Sequence, residues 1–229
     1  WACYYRATAL LELGRAEEVL PVLDEADRRD PDKPFPVEIL RACATAALGR
    51  TERFREHLWR VLTVKLSTVD YLTITGLASL YGRLWKAAAT LPEEDPLRRS
   101  LYRRLLQTGL APEDVFDVVR QQAEQSANVN YYRCMARQPL DERWPESHGC
   151  LSGQDKWSGY RMVWGVLAHD EEAAGRYVLE WQGQCYPLPA SIEECELEDD
   201  GYKDKCGVVW QGARWGIVAE EKDEEDDSE

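Results

Sequence analysis

Helical apolar spacing interrupted by regularly placed glycines is the feature that most constrains the fold of this chain of 229 residues. In the first half, apolar residues recur at three- and four-residue steps, as they do on one face of an α-helix. The pattern breaks at Gly14, Gly49 and Gly82, which are 35 and 33 residues apart. A spacing of about 34 residues is the period of one kind of stacked helical hairpin. The sequence therefore predicts three helix-turn-helix units, each turning at one of these glycines.

The packing residues of these units resemble those of the tetratricopeptide repeat family over residues 1 to 91. The first unit matches most fully and ends at Pro31, whereas the second has Phe54 at a position where the family has a small residue. In the third unit, Pro92 is expected to cut the second helix short. A nonrepetitive helical bundle is the alternative. The matching residues are Ala7, Leu10, Gly14, Val19, Leu23, Ala26, Ala42, Gly49, Leu58, Val61, Tyr71, Ile74, Gly82 and Ala87.

The resemblance implies a concave groove, lined by the first helix of each unit. This row is small and apolar with one aromatic side chain, and two alternatives remain open for it. It receives a peptide or helix of a partner, or it is filled by neighbouring parts of the same chain. The predicted groove residues are Tyr4, Thr8, Leu11, Ile39, Cys43, Ala46, Leu72, Gly76 and Ser79.

Two further helices are predicted before the pattern changes. One carries leucines from Leu97 to Leu106 and ends at Gly109, and the next begins at Pro112, a residue suited to a first helical turn. After about Gln125 the helical spacing stops, and six of the nine tryptophans lie beyond residue 130. We therefore predict a helical repeat domain at 1–125, a small α+β module at 126–219 and an acidic tail at 220–229.

The second half is predicted to be a small module with three or four strands, so the fold class is α+β. Residues 161–167 and 192–197 are rich in strand-forming side chains, and residues 208–218 are expected to form a short hairpin. Residues 170–181 form a helix or, alternatively, contribute a strand over 176–181. Residues 139–159 are predicted to be a loop. Three tryptophans, Trp164, Trp210 and Trp215, are assigned to the core, and Trp144 and Trp157 are assigned to the loop as exposed anchors for a partner.

Negative charge is concentrated in the second half. Residues 1–130 have a net charge of −1, residues 131–229 have −13, and the segment Glu220–Glu229 alone has −7. Such a segment is either a solvated tail or an electrostatic arm for a basic partner. A nucleic-acid partner is not expected, because phosphate contact needs a basic surface. The chain has no apolar run long enough to span a bilayer and no secretory signal, so we expect reduced thiols and a cytoplasmic location.

The sequence contains no motif of a known enzyme class and no regular spacing of metal ligands. His148 together with Cys185, Cys195 or Cys206 would be needed for thiol catalysis, and no nucleophile motif accompanies them. Zinc would need Cys134, His148 and Cys150 with a fourth thiolate, but their spacing is irregular. The acidic run at 193–200 lacks the glycine and closing glutamate of a calcium loop. We therefore predict no catalytic residue, no metal site and no cofactor.

Taken together, these features favour a protein-interaction segment of a larger protein, with an adaptor, regulatory or sensing role. It would bind a protein partner through the helical groove and the tryptophan-rich module. One alternative is a stand-alone acidic inhibitor, of the immunity-protein type, that masks a basic partner. A Cys/His hydrolase is a further alternative.

Overall fold

The structure, a computed structural model, describes residues 2–32, 34–69, 71–120, 125–141, 151, 154, 156–186 and 188–218. Eight α-helices and four β-strands occur in these ranges, with helices dominating before residue 120 and strands after residue 125. The elements are α1 Ala2–Glu12, α2 Ala16–Arg29, α3 Pro34–Ala47, α4 Thr51–Thr63, α5 Ile74–Ala88, α6 Pro96–Thr108, α7 Glu113–Arg120, β1 Gln125–Pro139, β2 Trp157–Ala168, α8 Glu171–Cys185, β3 Ser191–Lys205 and β4 Gly207–Val218. A single 3₁₀ turn, Leu66–Thr68, lies between α4 and α5.

The first two helical hairpins turn at glycines, as predicted. Gly14 and Gly49 have φ values of 70° and 65°, a region that a side chain disfavours. The amide of Arg15 donates to the carbonyl of Leu10, and the amide of Gly14 donates to Leu11. Gly49 and the residue after it make the same pair of bonds to the end of α3. This is the Schellman arrangement, which satisfies carbonyls that a helix end leaves without partners.

The predicted third turn at Gly82 is wrong. Helix α5 runs without a break from Ile74 to Ala88, and Gly82 lies inside it. The apolar residues on both sides of this glycine, including Leu80 and Leu84, are fully buried. Their burial outweighs the cost of about 1 kcal/mol for a glycine within a helix. The next helix of the stack is therefore α6, which begins after Pro92.

Both ends of α6 follow from local sequence. The Asp95 carboxylate accepts a hydrogen bond of 2.9 Å from the amide of Leu97, which caps the helix, and Pro96 occupies the first helical position. Gly109 ends α6 with a φ of 70° and makes the same Schellman bonds as the first two glycine turns. The predicted end at Gly109 is thus confirmed.

The four strands form one antiparallel sheet with the order β3-β1-β2-β4. The predicted strands within β2 and β3 are confirmed, and so is the helix after Asp170, whose carboxylate caps α8. The predicted hairpin at 208–218 is wrong, because β4 is one continuous strand along β2. Strand β1 was not predicted, although its residues Tyr132 to Gln138 alternate between buried and more exposed positions.

The core continues from the helices into one face of the sheet. Helix α8 packs on all four strands, and α7 packs on β4. The buried ring of Phe116 lies between Trp164 of β2 and Trp181 of α8, with centroid distances of 6.3 and 5.0 Å. The fold is therefore α+β, with helices against one side of the sheet. Among the described residues, no helix combines the length and apolar character needed to cross a membrane.

Candidate functional site

The central part of the predicted helical groove is buried. Ile39 has no exposed surface, and Cys43 and Ala46 are each 8% exposed. Their helix, α3, is packed by both α1 and α5. These three residues therefore do not line an open groove, because all three are apolar and are covered by the flanking helices.

An ion pair reinforces this closure. Glu12 of α1 and Arg83 of α5 approach to 2.6 Å, so the two flanking helices contact each other directly. Burial raises the pKa of the Cys43 thiol to about 12, despite the opposing effect of the Arg83 charge. The alternative in which neighbouring chain fills the groove is favoured at α3.

The remaining groove residues keep some exposure but belong to different surroundings. Tyr4, Thr8 and Leu11 are half-buried along α1. Leu72 precedes α5 and does not lie on it. Gly76 lies in the first turn of α5, where its amide donates to the Thr73 hydroxyl, and Ser79 is exposed. The nine predicted residues are therefore not brought together as one surface.

Two cysteines that were expected to be reduced form a disulfide. Cys134 of β1 and Cys195 of β3 are directly opposite each other in the antiparallel register and are bonded. The expectation failed because β1 was not recognised as a strand, so nothing in the sequence analysis placed these two thiols together. The pairing also removes both of them from the zinc and thiol-catalysis hypotheses.

Reduction of this disulfide is expected to lower the free energy of unfolding by about 2 to 4 kcal/mol, because the bond closes a 61-residue separation in the unfolded chain. Urea unfolding with and without reductant measures the difference. A variant with Cys134→Ala and Cys195→Ala should lose the sensitivity to reductant, whereas Cys3→Ala should retain it. Labelling of all seven cysteines in unreduced, denatured protein would refute the bond, since five are expected.

The other candidates for catalysis or metal binding are not assembled in the described residues. Burial raises the pKa of the Cys185 thiol to about 12, so it is protonated near neutral pH. His148 and Cys150 lie outside the described residues. Within the described part of the chain, no group of three or more potential ligands has the geometry of a metal site.

The tryptophans divide differently from the prediction. Trp144 lies outside the described residues. Trp157 was assigned to a loop, but it is the first residue of β2 and is half-buried, with its ring where a side chain on Gly216 would lie. Trp164 is buried as predicted, whereas Trp215 is 52% exposed and not a core residue.

Trp215 lies on the face of the sheet opposite α8. Its register partner Arg161 alternates with Tyr160 and Met162, which are buried on the helical side. Trp210 lies on the same face as Trp215, and its indole nitrogen donates to the Tyr131 hydroxyl at 2.6 Å. We call this side, defined by Tyr131, Arg133, Arg161, Trp210 and Trp215, the outer face.

A glycine keeps the aromatic part of the outer face flat. A Cβ atom on Gly165 would overlap the Trp210 indole and the Tyr131 hydroxyl. The glycine therefore lets the Trp210 ring lie directly over the backbone of β2. The rings of Tyr131 and Trp210 thus form a flat aromatic surface. Trp215 is exposed further along β4, the strand that also carries Trp210. No sequence signal identified Gly165, because the close approach comes from a residue 45 positions later.

Ion pairs connect the outer face to the acidic edge strand. Arg133 of β1 pairs with Glu196 at 2.9 Å and with Glu198 at 2.7 Å. Arg161 of β2 pairs with Glu193 at 2.6 Å. The acidic run at 193–200 is therefore partly neutralised by an arginine of the adjacent strand β1 and by one of β2, the next strand beyond it.

Strand β3 nevertheless carries an excess of carboxylates. Ser191–Lys205 contains seven acidic and two basic residues, a net charge of −5. Glu194, Asp199 and Asp200 are exposed and form no ion pair with the described residues. Strand β3 is the edge strand next to β1, so this charge lies beside Tyr131 of the outer face, whereas Trp210 and Trp215 lie on β4 at the other edge of the sheet. Comparison of the chain with protein-family models, curated proteins and solved structures returned no match.

Proposed function

We propose that this protein is a protein-interaction module that binds a basic protein partner through the outer face and the edge of β3. The observation that carries this proposal is that one sheet has an exposed tryptophan, Trp215, on its edge strand β4 and a net charge of −5 on its other edge strand, β3. Tryptophan is enriched among residues that dominate binding energy, because its large ring buries much apolar area. A role as an adaptor or regulatory segment of a larger protein fits this activity.

The charges and the aromatic residues have different expected roles. Exposed carboxylates attract a basic partner and accelerate its encounter, but salt screens them within about 10 Å at 0.1 M. A desolvated aromatic anchor contributes more to affinity and is less sensitive to salt. Charged side chains on an edge strand also protect it from pairing with other strands, which is their main alternative role.

A stand-alone acidic inhibitor is a second candidate, since the same acidic strand would mask a basic site. The helical groove remains a weaker proposal for partner binding, because its central residues are buried and only its ends, such as Ser79, are exposed. We propose neither a catalytic role nor a cofactor. A cytoplasmic location remains a prediction, and the disulfide argues against it, since disulfides are rare in reducing compartments.

The chain offers a matched pair of exposed tryptophans for testing the proposal. Trp215 is 52% exposed on β4, and Trp59 is 58% exposed on α4. A photocrosslinking amino acid at position 215 is expected to form an adduct with a basic protein in native lysate, and one at position 59 is not. With the purified adduct partner, Trp215→Ala should weaken binding at least about tenfold, which corresponds to about 1.4 kcal/mol.

Two results would count against the outer face. Equal losses of binding affinity for Trp215→Ala and Trp59→Ala would show that the loss does not depend on the outer face. The photocrosslinking amino acid is also placed at positions 72 and 79. Adducts from these positions and none from position 215 would show that the partner binds the helical groove. If the protein crosslinked at position 215 is acidic, the outer face is still the binding surface. The proposal that the carboxylates of β3 attract a basic partner would then be wrong.

A further inference from the structure

A second candidate binding site lies on the helical side of the sheet, away from the outer face. Arg99 and Arg103 are four residues apart on α6, so their side chains emerge from the same side of the helix. Together with Tyr102, Leu106 and Gln184 of α8, they line a concave site of about 270 Å³. Both arginines are exposed and form no ion pair with the described residues.

The electrostatic environment of this site is positive although the chain carries a net charge of −14. Arg214 lies behind the site and donates to the carbonyl of Leu106 at 3.1 Å. Burial raises the pKa of the neighbouring Cys185 thiol, and the charges of Arg214 and Arg103 act in the opposite direction. Two guanidinium groups thus line the site, and a third is bonded to the backbone of Leu106, whose side chain also lines it.

The site also has fixed polar groups. The Tyr102 ring packs against Trp85 and Trp181, with centroid distances of 6.2 and 5.8 Å, so its orientation is constrained. Its hydroxyl lies 3.5 Å from the Gln184 side-chain oxygen, a distance at the upper limit of a hydrogen bond. The hydroxyl and the Gln184 amide are therefore free to reorient towards a bound group.

We propose that this site binds the phosphoryl group of a small phosphomonoester or of free phosphate. Like charges four residues apart on a helix repel each other, and a bound dianion would relieve that repulsion. Planar guanidinium groups match the oxygen geometry of phosphate through paired hydrogen bonds, and the Tyr102 hydroxyl supplies another donor. The volume admits a phosphoryl group with a few further atoms, which excludes a large ligand within the concavity itself.

Isothermal titration of the full chain tests this proposal with three probes: inorganic phosphate, O-phosphoserine and sulfate. We expect saturable binding of phosphate or O-phosphoserine with a Kd of about 1 mM or lower, and weaker binding of sulfate, whose oxygens are weaker hydrogen-bond acceptors than those of a phosphate dianion. Tighter binding of O-phosphoserine than of phosphate would identify a phosphomonoester as the ligand, and the reverse order would identify free phosphate.

Matched variants decide whether the site is local. Arg99→Ala with Arg103→Ala should weaken phosphate binding at least tenfold. Arg50→Ala with Arg53→Ala removes the same charge from two exposed arginines on another part of the chain and should leave the Kd unchanged. Loss of binding in both double variants, or no saturable binding in the wild type, would overturn the proposal. The circular dichroism spectrum of each variant verifies that it is folded.

Discussion

Replacing Arg104 with alanine is expected to lower the free energy of unfolding by about 4 kcal/mol, one of the two largest effects that the structure predicts. The Arg104 side chain is 2% exposed, although it carries a charge. Its guanidinium donates to the Tyr81 hydroxyl at 2.9 Å, to the carbonyl of Leu62 at 2.7 Å and to the carbonyl of Val64. One residue of α6 thereby joins α5 and the C-terminal end of α4.

The cost follows from the groups that the substitution would leave behind. The carbonyl of Leu62 lies in the last turn of α4 and that of Val64 belongs to the extended residue just after it, so no amide of the same helix can reach either. Removing their donor leaves these half-buried acceptors unsatisfied, at about 1 to 3 kcal/mol for each. The helix end also carries partial negative charge, which the guanidinium stabilises. A cavity of several methylene groups adds to the loss.

Urea unfolding of Arg104→Ala, Arg104→Lys and Arg103→Ala measures these contributions. Lysine keeps the charge but lacks the planar fork, so we expect an intermediate loss. Arg103 is exposed on the same helix, and its replacement should change the free energy of unfolding by less than about 0.5 kcal/mol. A loss for Arg104→Ala no larger than that for Arg103→Ala would contradict the structural role.

Local sequence signals explain which helix ends were predicted correctly. Gly14, Gly49 and Gly109 each follow a helix and adopt positive φ, so the glycine itself marks the turn. Gly82 has the same spacing, but it lies between residues that are buried on one continuous helix. The period alone does not distinguish these cases. The capping residue Asp95 followed by Pro96 marked the true start of the next helix, and that signal was not used.

The candidate surfaces were harder to predict because they depend on the pairing of distant strands. The position of Trp215 relative to the helices follows from the register of β4 on β2, which the sequence did not specify. Arg133 and Arg161 were not singled out, since their glutamate partners lie on a different strand. The groove prediction failed at Ile39 because it assumed an open stack, whereas α1 and α5 both pack on α3.

The boundary predicted near Gln125 matches the change from helix to strand. Residues on the two sides of this boundary nevertheless pack against each other. Helices α6 and α7 contact the second half of the chain, and the half-buried Gln107 of α6 donates to the carbonyl of Cys185 in α8 at 3.0 Å. Tyr186 in turn donates to the carbonyl of Gln107 at 2.8 Å. These hydrogen bonds favour the two halves unfolding together rather than as separate units.

The second large effect tests that division. Phe116→Ala is expected to lower the free energy of unfolding by about 3 to 5 kcal/mol, because the ring is fully buried between Trp164 and Trp181. If the halves unfold together, circular dichroism and tryptophan fluorescence should report one transition, and the substitution should shift both signals equally. Phe116→Leu keeps most of the apolar volume and should lose less. Two transitions, with only one shifted by Phe116→Ala, would instead establish independent units and restore residues 1–125 as a domain that folds alone.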